Sequence, residues 1–261
     1  MITILDRIVA RKRTEVQAAK AKTSYTKLEE AEFFNRQPYS FREFLLDSTK
    51  SGIIAEFKRK SPSKGIINDQ VKVKTVTQGY AAAGASALSV LTDRAFFMGK
   101  KSDLIQARKA NEIPVLRKDF MIDEYQIIEA KALGADIILL IAAILSPQEI
   151  KNMAALAKNL GLSVLLEVHS LEELERSLDQ NVDAVGVNNR NLADFTVSVD
   201  TSFTLIKSIP NEFLKVSESA ISNPETIRQL KAAGFNGFLI GETFMKEADP
   251  GMAMQEFAGK I

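Results

Sequence analysis

The sequence predicts an α/β fold, a closed (β/α)8 barrel with an N-terminal helical extension, and three observations predict it. From residue 53 onward, short apolar runs alternate with helix-like stretches. Apolar runs this short read as parallel strands buried on both faces. Six of the runs also end alike. Ile53-Ile54-Ala55 leads into Glu56 and Lys58, and Ile113-Pro114-Val115-Leu116 into Arg117 and Lys118. Val164-Leu165-Leu166 leads into Glu167, Val185-Gly186-Val187 into Asn188 and Arg190, Leu214-Lys215-Val216-Ser217 into Glu218 and Ser219, and Phe238-Leu239-Ile240 into Gly241. Third, the 261 residues match the roughly 250 that such a barrel takes as one domain. Polar strand ends gather at one rim of a barrel, where catalysis is found, so the pattern points to an enzyme.

Residues 1–50 are expected to be the extension, packed on a barrel formed by residues 51–261. Ile4, Leu5, Ile8, Val9 and Val16 recur at helical spacing among Arg and Lys. Residues 20–37 are polar and weakly patterned, and Ser40 with Glu43 is a capping-box pair opening a helix over 41–47. The extension is either a packing appendage or a cap over a ligand site. Strands follow at 53–58, 87–91, 114–118, 136–141, 162–167, 183–188, 213–217 and 237–240. Helices fit at 69–83, 102–110, 124–133, 148–160, 171–179, 201–208, 225–233 and 250–258. Asp123 with Gln126, Ser146 with Pro147 and Glu149, Ser170 with Glu173, and Asn223 before Pro224 are start signals. Gly84, Gly134, Gly161 and Gly234 stand where helices should stop. A doubly wound open sheet is the structural alternative, but no Gly-x-Gly-x-x-Gly follows a strand.

Composition narrows the function. The formal net charge of +1 provides no field to draw in nucleic acid or a membrane, so an anionic ligand must be held by local cations. Cys is absent, which removes disulfides, thiolate metal sites and a Cys nucleophile. One His without Cys offers no metal cluster. No apolar run approaches the roughly 20 residues of a membrane span. The opening Met1-Ile2-Thr3-Ile4-Leu5-Asp6-Arg7 carries charge where a secretion signal needs apolar residues. A cytoplasmic and monomeric protein is expected.

The strand ends supply the candidate chemistry. Glu56 and Lys58 are two apart and share one face; inside a barrel they form a buried ion pair, either structural or aimed at a ligand. Lys118 at a barrel mouth is expected to lose solvation and to lower its pKa, as a general acid or a Schiff-base amine. Glu167 is a candidate acid or base, or a partner for a lysine. His169 reads as a loop residue rather than a catalyst. Asn188 suits orienting a hydroxyl, and Arg190 suits a carboxylate, a phosphate or a rim ion pair. Ser219, Ala220, Gly241 and Glu242 fall in the loops after the last two strands, the usual phosphate site of such barrels, with backbone N–H groups as donors. The Glu242 carboxylate must then turn away from the anion. The loop Lys60-Ser61-Pro62-Ser63-Lys64-Gly65 suits an anion and a hinged turn.

Together these residues resemble a known family. Ile53-Ile54-Ala55-Glu56-Phe57-Lys58-Arg59-Lys60-Ser61-Pro62-Ser63-Lys64-Gly65 is similar to the first-strand signature of indole-3-glycerol phosphate synthases. Leu91-Thr92-Asp93 with Phe96-Phe97-Met98-Gly99, Arg117-Lys118-Asp119-Phe120, Leu165-Leu166-Glu167-Val168, Gly186 through Leu192, Ser217-Glu218-Ser219 and Leu239-Ile240-Gly241-Glu242 match the later strand ends in order. Ile4-Leu5-Asp6-Arg7-Ile8-Val9 and Ser40-Phe41-Arg42-Glu43 resemble the family's N-terminal extension.

The resemblance implies a TIM barrel, no cofactor or metal, and a small sugar-phosphate substrate, 1-(2-carboxyphenylamino)-1-deoxyribulose 5-phosphate. Ring closure, loss of CO2 and loss of water would convert it to indole-3-glycerol phosphate, in tryptophan biosynthesis. It implies Lys118 as the general acid, Lys58 as the cation for the substrate carboxylate, and Glu167 as the proton-transfer group in dehydration. Glu56, Asn188 and Glu218 match orienting positions, and Ser61 and Arg190 match ligand-binding ones. Ser219, Ala220, Gly241 and Glu242 match the phosphate cradle, and Phe97, Phe120 and Leu139 the wall around the aromatic ring. The sequence departs twice. Ala220 stands where a Gly is usual, costing roughly 1 kcal/mol if φ is positive there. Lys100 stands where a small hydroxyl residue is common. A Schiff-base aldolase or lyase built on Lys118 is the rival enzyme; a phosphoribosylanthranilate isomerase is disfavoured because its strand-one Cys is missing. A binding module that has lost catalysis is disfavoured because Glu56, Lys58, Lys118 and Glu167 are intact.

Overall fold

The fold, taken from a computed structural model, describes residues 3–191 and 195–261. Met1, Ile2 and Leu192, which belong to the strings above, lie outside the described residues.

Eight parallel strands close a barrel. They are β1 (Ile53–Phe57), β2 (Ala87–Leu91), β3 (Val115–Lys118), β4 (Ile137–Ile141), β5 (Ser163–Val168), β6 (Ala184–Asn188), β7 (Leu214–Glu218) and β8 (Gly237–Ile240), and β8 pairs back onto β1. The closure rejects the open sheet. A two-stranded antiparallel ribbon, Lys60–Ser61 with Gly65–Ile66, stands above β1 and was not expected from the sequence. Among the described residues, no helix is long and apolar enough to cross a membrane.

The two-residue period of a strand sorts every barrel residue. Ile54, Leu116, Leu139, Leu165, Val216 and Leu239 point inward and pack together with Phe41 and Leu45. Ile53, Ala55, Val115, Ile138, Val164 and Leu166 point outward into the larger layer beneath the helices. Continuing the inward series by two residues puts Glu56, Lys118, Glu167, Asn188 and Glu218 over the apolar interior, at the C-terminal rim. Register places them side by side: Asn188 opposite Glu218, and Ile141 opposite Glu167.

Helix starts follow the sequence with informative exceptions. Ser146 and Glu149 form a reciprocal capping box with Pro147 at the first turn, and Asn223 caps Pro224–Ala233. Asp123 instead caps alone, through the Tyr125 N–H, because Gln126 is turned to the backbone of Ile122 and Phe120. Ser40 and Ser170 also cap without reciprocation; Glu173 is drawn away to His169. Gly84, Gly134, Gly161 and Gly234 all have positive φ, as helix stops require. The helix expected at 69–83 is shorter, Val73–Ala82, and its N-cap Lys72 makes no side-chain capping bond.

The extension is more ordered than its patterning suggests. Helix α1 (Ile4–Lys22) runs past residue 20, capped at its start by a Thr3–Asp6 box. Helix α2 (Tyr25–Glu29) and helix α3 (Phe41–Leu46) follow. The extension touches both ends of the barrel. At the closed end Arg36 reaches Asp136 at 2.5 Å and Phe41 and Leu45 fill the interior. At the open end Ile4, Leu5 and Ile8 line the mouth.

Candidate active site

The mouth holds a cavity of about 770 Å³, and it brings together every residue singled out as a catalytic, substrate-binding or phosphate-binding candidate. Glu56, Lys58, Ser61, Phe97, Lys118, Phe120, Leu139, Glu167, Asn188, Arg190, Glu218, Ser219, Ala220, Gly241 and Glu242 all line it. Lys100 does not; it stands at the start of helix Lys101–Ala110, on a second cavity beside α1.

Lys118 is the centre of the charge arrangement. Its Nζ lies 2.6 Å from Glu167 Oε2 and 3.0 Å from Glu218 Oε2. Asn188 Nδ2 donates to Glu167 Oε1 at 3.0 Å. At the end of β1, Lys58 Nζ lies 2.7 Å from Glu56 Oε1, and Ser89 Oγ donates to Glu56 Oε2 at 3.2 Å. Two glycines make room for these carboxylates. A Cβ on Gly186 would overlap Glu218 Oε1, and one on Gly241 would meet Glu56 Oε1 at 2.7 Å.

The electrostatics correct one expectation. Burial by itself would lower the Lys118 pKa, but the charges of Glu167, Glu218 and Glu56 outweigh it and raise the pKa. The lysine is held as an ammonium, so the neutral amine that a Schiff base requires is suppressed. Glu167 and Glu218 face one another across Lys118 and diverge. Burial would raise Glu167, but Lys118 and His169 bring it down to about 2. Burial pushes Glu218 up to about 7, against the pull of Lys118 and with repulsion from Glu167 and Glu56. Glu218 Oε1 is buried and has no hydrogen-bond partner. The pair titrates as a coupled unit, with one carboxylate fully ionised and the other exchanging its proton near neutrality.

The side of the mouth expected to take an anion is formed by the loops after β7 and β8. Ser219 and Ala220 both adopt left-handed conformations, φ 66° and 59°. Ala220 therefore occupies the strained position anticipated for it. Ser219 Oγ donates to Asn188 Oδ1 at 3.0 Å, and Thr243 Oγ1 donates to the Ile221 carbonyl, tying the loop to helix Glu242–Met245. The Glu242 carboxylate is turned toward Lys64, 3.7 Å away. Arg190 lies over the mouth with Nη1 at 3.4 Å from Ser63 Oγ and from the Phe195 carbonyl. Phe97 and Phe120 pack with ring centroids 6.0 Å apart, forming an apolar wall.

Sequence reasoning missed two supports. Lys12 of α1 is buried, with Nζ 2.9 Å from Asp93 and 2.8 Å from Asp119, the residues that cap the Phe97 turn and follow Lys118. Helical spacing marks position 12 as polar, so nothing local distinguishes it from its exposed neighbours. His169 is the loop residue expected, but it is largely buried rather than free. Its ring, just beyond the end of β5, is wedged between Glu167 and Glu173.

Comparison with known proteins agrees with this geometry. Residues 5–257 match the family described as indole-3-glycerol phosphate synthase. An indole-3-glycerol phosphate synthase of Bacteroides thetaiotaomicron is 48% identical, with all of both chains covered. One from Polaromonas sp. is 45% identical over 99% of each chain. A 3-hexulose-6-phosphate synthase structure from Salmonella typhimurium aligns with a TM-score of 0.62 at 13% identity, over 80% of this chain and 97% of that one, which speaks to the barrel alone. The full-length match and the assembled mouth together place this chain in the indole-3-glycerol phosphate synthase family.

Proposed function

We propose that the mouth converts 1-(2-carboxyphenylamino)-1-deoxyribulose 5-phosphate to indole-3-glycerol phosphate, with Lys118 as the acid that starts the reaction. The observation that carries this reading is the Lys118 ammonium held between Glu167 and Glu218, in the same cavity as the Glu56–Lys58 pair. The substrate is a double anion with an aromatic ring between a carboxylate and a sugar phosphate. The left-handed loop at Ser219 and Ala220 and the backbone at Gly241 and Glu242 take the phosphate. Lys58 takes the carboxylate, Ser61 and Arg190 close over the ligand, and Phe97, Phe120 and Leu139 hold the ring and exclude water.

The aromatic carbon bearing the carboxylate attacks the ketone carbon, and Lys118 protonates the ketone oxygen as it becomes a hydroxyl. A lysine with a raised pKa is always loaded but a weak donor. Protonation of Glu218 removes one anion from its side and strengthens it as an acid. CO2 then leaves and restores the benzene ring. Lys58, released from the carboxylate, protonates the departing hydroxyl, and Glu167 accepts the proton lost from the carbon beside nitrogen. Glu56 and Asn188 orient the amine and sugar hydroxyls. All of these groups come from one chain, so a monomer suffices for the chemistry. Residues 1–50 act as an extension and 51–261 as the catalytic barrel. A pathway enzyme acting on a free sugar phosphate fits a cytoplasmic location.

The test is continuous fluorescence with the carboxyphenylamino-deoxyribulose phosphate. The chain has no Trp, so indole emission reports product over a dark protein background. Emission rising in proportion to enzyme is expected; a flat trace from folded protein would sink the reading.

A further inference from the structure

We propose that His169 is a positioning residue for this reaction, an imidazolium that donates through Nε2–H to Glu167 Oε1 and so fixes the carboxylate that accepts the proton from carbon. The inference rests on the role given to Glu167 above, and hydrogen-bond chemistry on the page carries it. His169 Nδ1 lies 3.1 Å from Glu173 Oε2, and the same oxygen accepts the His169 backbone N–H at 2.8 Å. A carboxylate only accepts, so Nδ1 must carry a hydrogen. That leaves Nε2 buried, without a hydrogen-bond partner and 3.5 Å from Glu167 Oε1, a charge-pair separation that a protonated ring would close to a hydrogen bond. A neutral ring would point a lone pair at a carboxylate oxygen. A protonated ring points a donor at it.

The surroundings agree from every side. Glu167 and Glu218 face the ring from β5 and β7, and Glu173 from the helix Leu171–Ser177, with Arg176 acting on Glu173 and Lys118 lying beyond Glu167. Burial opposes the charged ring, yet the three glutamates raise its pKa. Glu167 is then held at three points: Lys118 on Oε2, with Asn188 and His169 on Oε1. The carboxylate is fixed in place as a base whose proton has only one direction from which to arrive. As pH rises through the His169 pKa the donor is lost and the third point of attachment with it.

His169 is the only histidine in the chain, so its ring gives one assignable NMR resonance in the intact protein. The expected result is a ring that titrates above the ordinary histidine value of about 6.5. Its titration should move down toward that value in Glu167→Gln and in Glu173→Gln. For activity, kcat should fall at alkaline pH in two steps, one from loss of the Glu218 proton and a second limb whose midpoint matches the His169 titration read by NMR. His169→Ala should lower kcat about tenfold with KM nearly unchanged and abolish that limb, the size expected for losing a hydrogen bond to a charged group. His169→Gln, which keeps an N–H donor without titrating, should recover most of the rate with the limb still absent. A ring titrating at or below the ordinary value, or unmoved by Glu167→Gln, overturns the contact. An alkaline step at the His169 midpoint read by NMR that survives in both His169 variants, beside the step from Glu218, overturns its role in the reaction. A fully active Glu167→Gln variant removes the role of Glu167 and the proposal with it, and is told apart because the ring would still titrate high in the parent protein.

Discussion

The two ends of this barrel are made from the same eight strands and solve opposite problems. At the closed end, α3 inserts Phe41 and Leu45 into the interior, and the one buried carboxylate there is saturated. Asp136 accepts from Arg36 at 2.5 Å, Arg108 at 2.8 Å and the backbone N–H groups of Tyr39 and Val115. At the open end, Glu56, Glu167 and Glu218 are gathered over an apolar floor with two lysines between them. One carboxylate oxygen and one ring nitrogen there have no hydrogen-bond partner, and two adjacent non-glycine residues have positive φ. The comparison teaches where strain is tolerated. The Asp136 carboxylate is fully satisfied, although Nε of its partner Arg36 is not, whereas the Glu218 carboxylate at the mouth is left partly unsatisfied, as groups at functional sites are.

The comparison can be broken at either end. The largest effect should come from Lys118→Ala. General acid catalysis contributes on the order of 10²–10⁴ in rate, so kcat should fall by that much while KM changes little. Steady-state fluorescence kinetics read both quantities, and an unchanged kcat would remove Lys118 as the acid. Next is Asp136→Asn at the closed end. Loss of one partner from a buried ion pair costs about 3–5 kcal/mol, and Arg108 would keep its charge with its anion gone. Urea unfolding should show that loss, while kcat of the folded protein stays at the parent value; a drop in kcat without a loss of stability would mean the two ends are not separable. The smallest effect should come from Ala220→Gly, which sharpens the comparison. Relief of a left-handed alanine should stabilise the protein by about 1 kcal/mol, seen as a slightly higher Tm. A lower Tm would show that the loop relies on the Ala220 methyl.

Most of the architecture was legible locally. Strand periodicity put Glu56 and Lys58 on one face, and Ser146-Pro147-Gln148-Glu149 announced a helix start that formed as written. Legibility failed where long-range partners compete. Gln126 and Glu173 had the spacing of capping residues, but the Ile122 backbone and the His169 ring captured them. Lys12 carries no local mark, because its partners Asp93 and Asp119 are some 80 and 107 positions away in the chain.

The division follows from the range of the forces. The sequence by itself determined the eight-strand alternation, the helix stops and the set of polar strand ends, since these depend on dihedral preference and on burial at short periods. Only the tertiary structure decided the protonation chemistry. Lys118 was expected to lose its proton more readily on burial, and instead holds it, because the closed barrel brings Glu167 and Glu218 within 3.0 Å from strands 49 and 100 residues away. Burial and charge pairing act in opposite directions on a lysine, and the sign of their sum is set by where closure places the carboxylates.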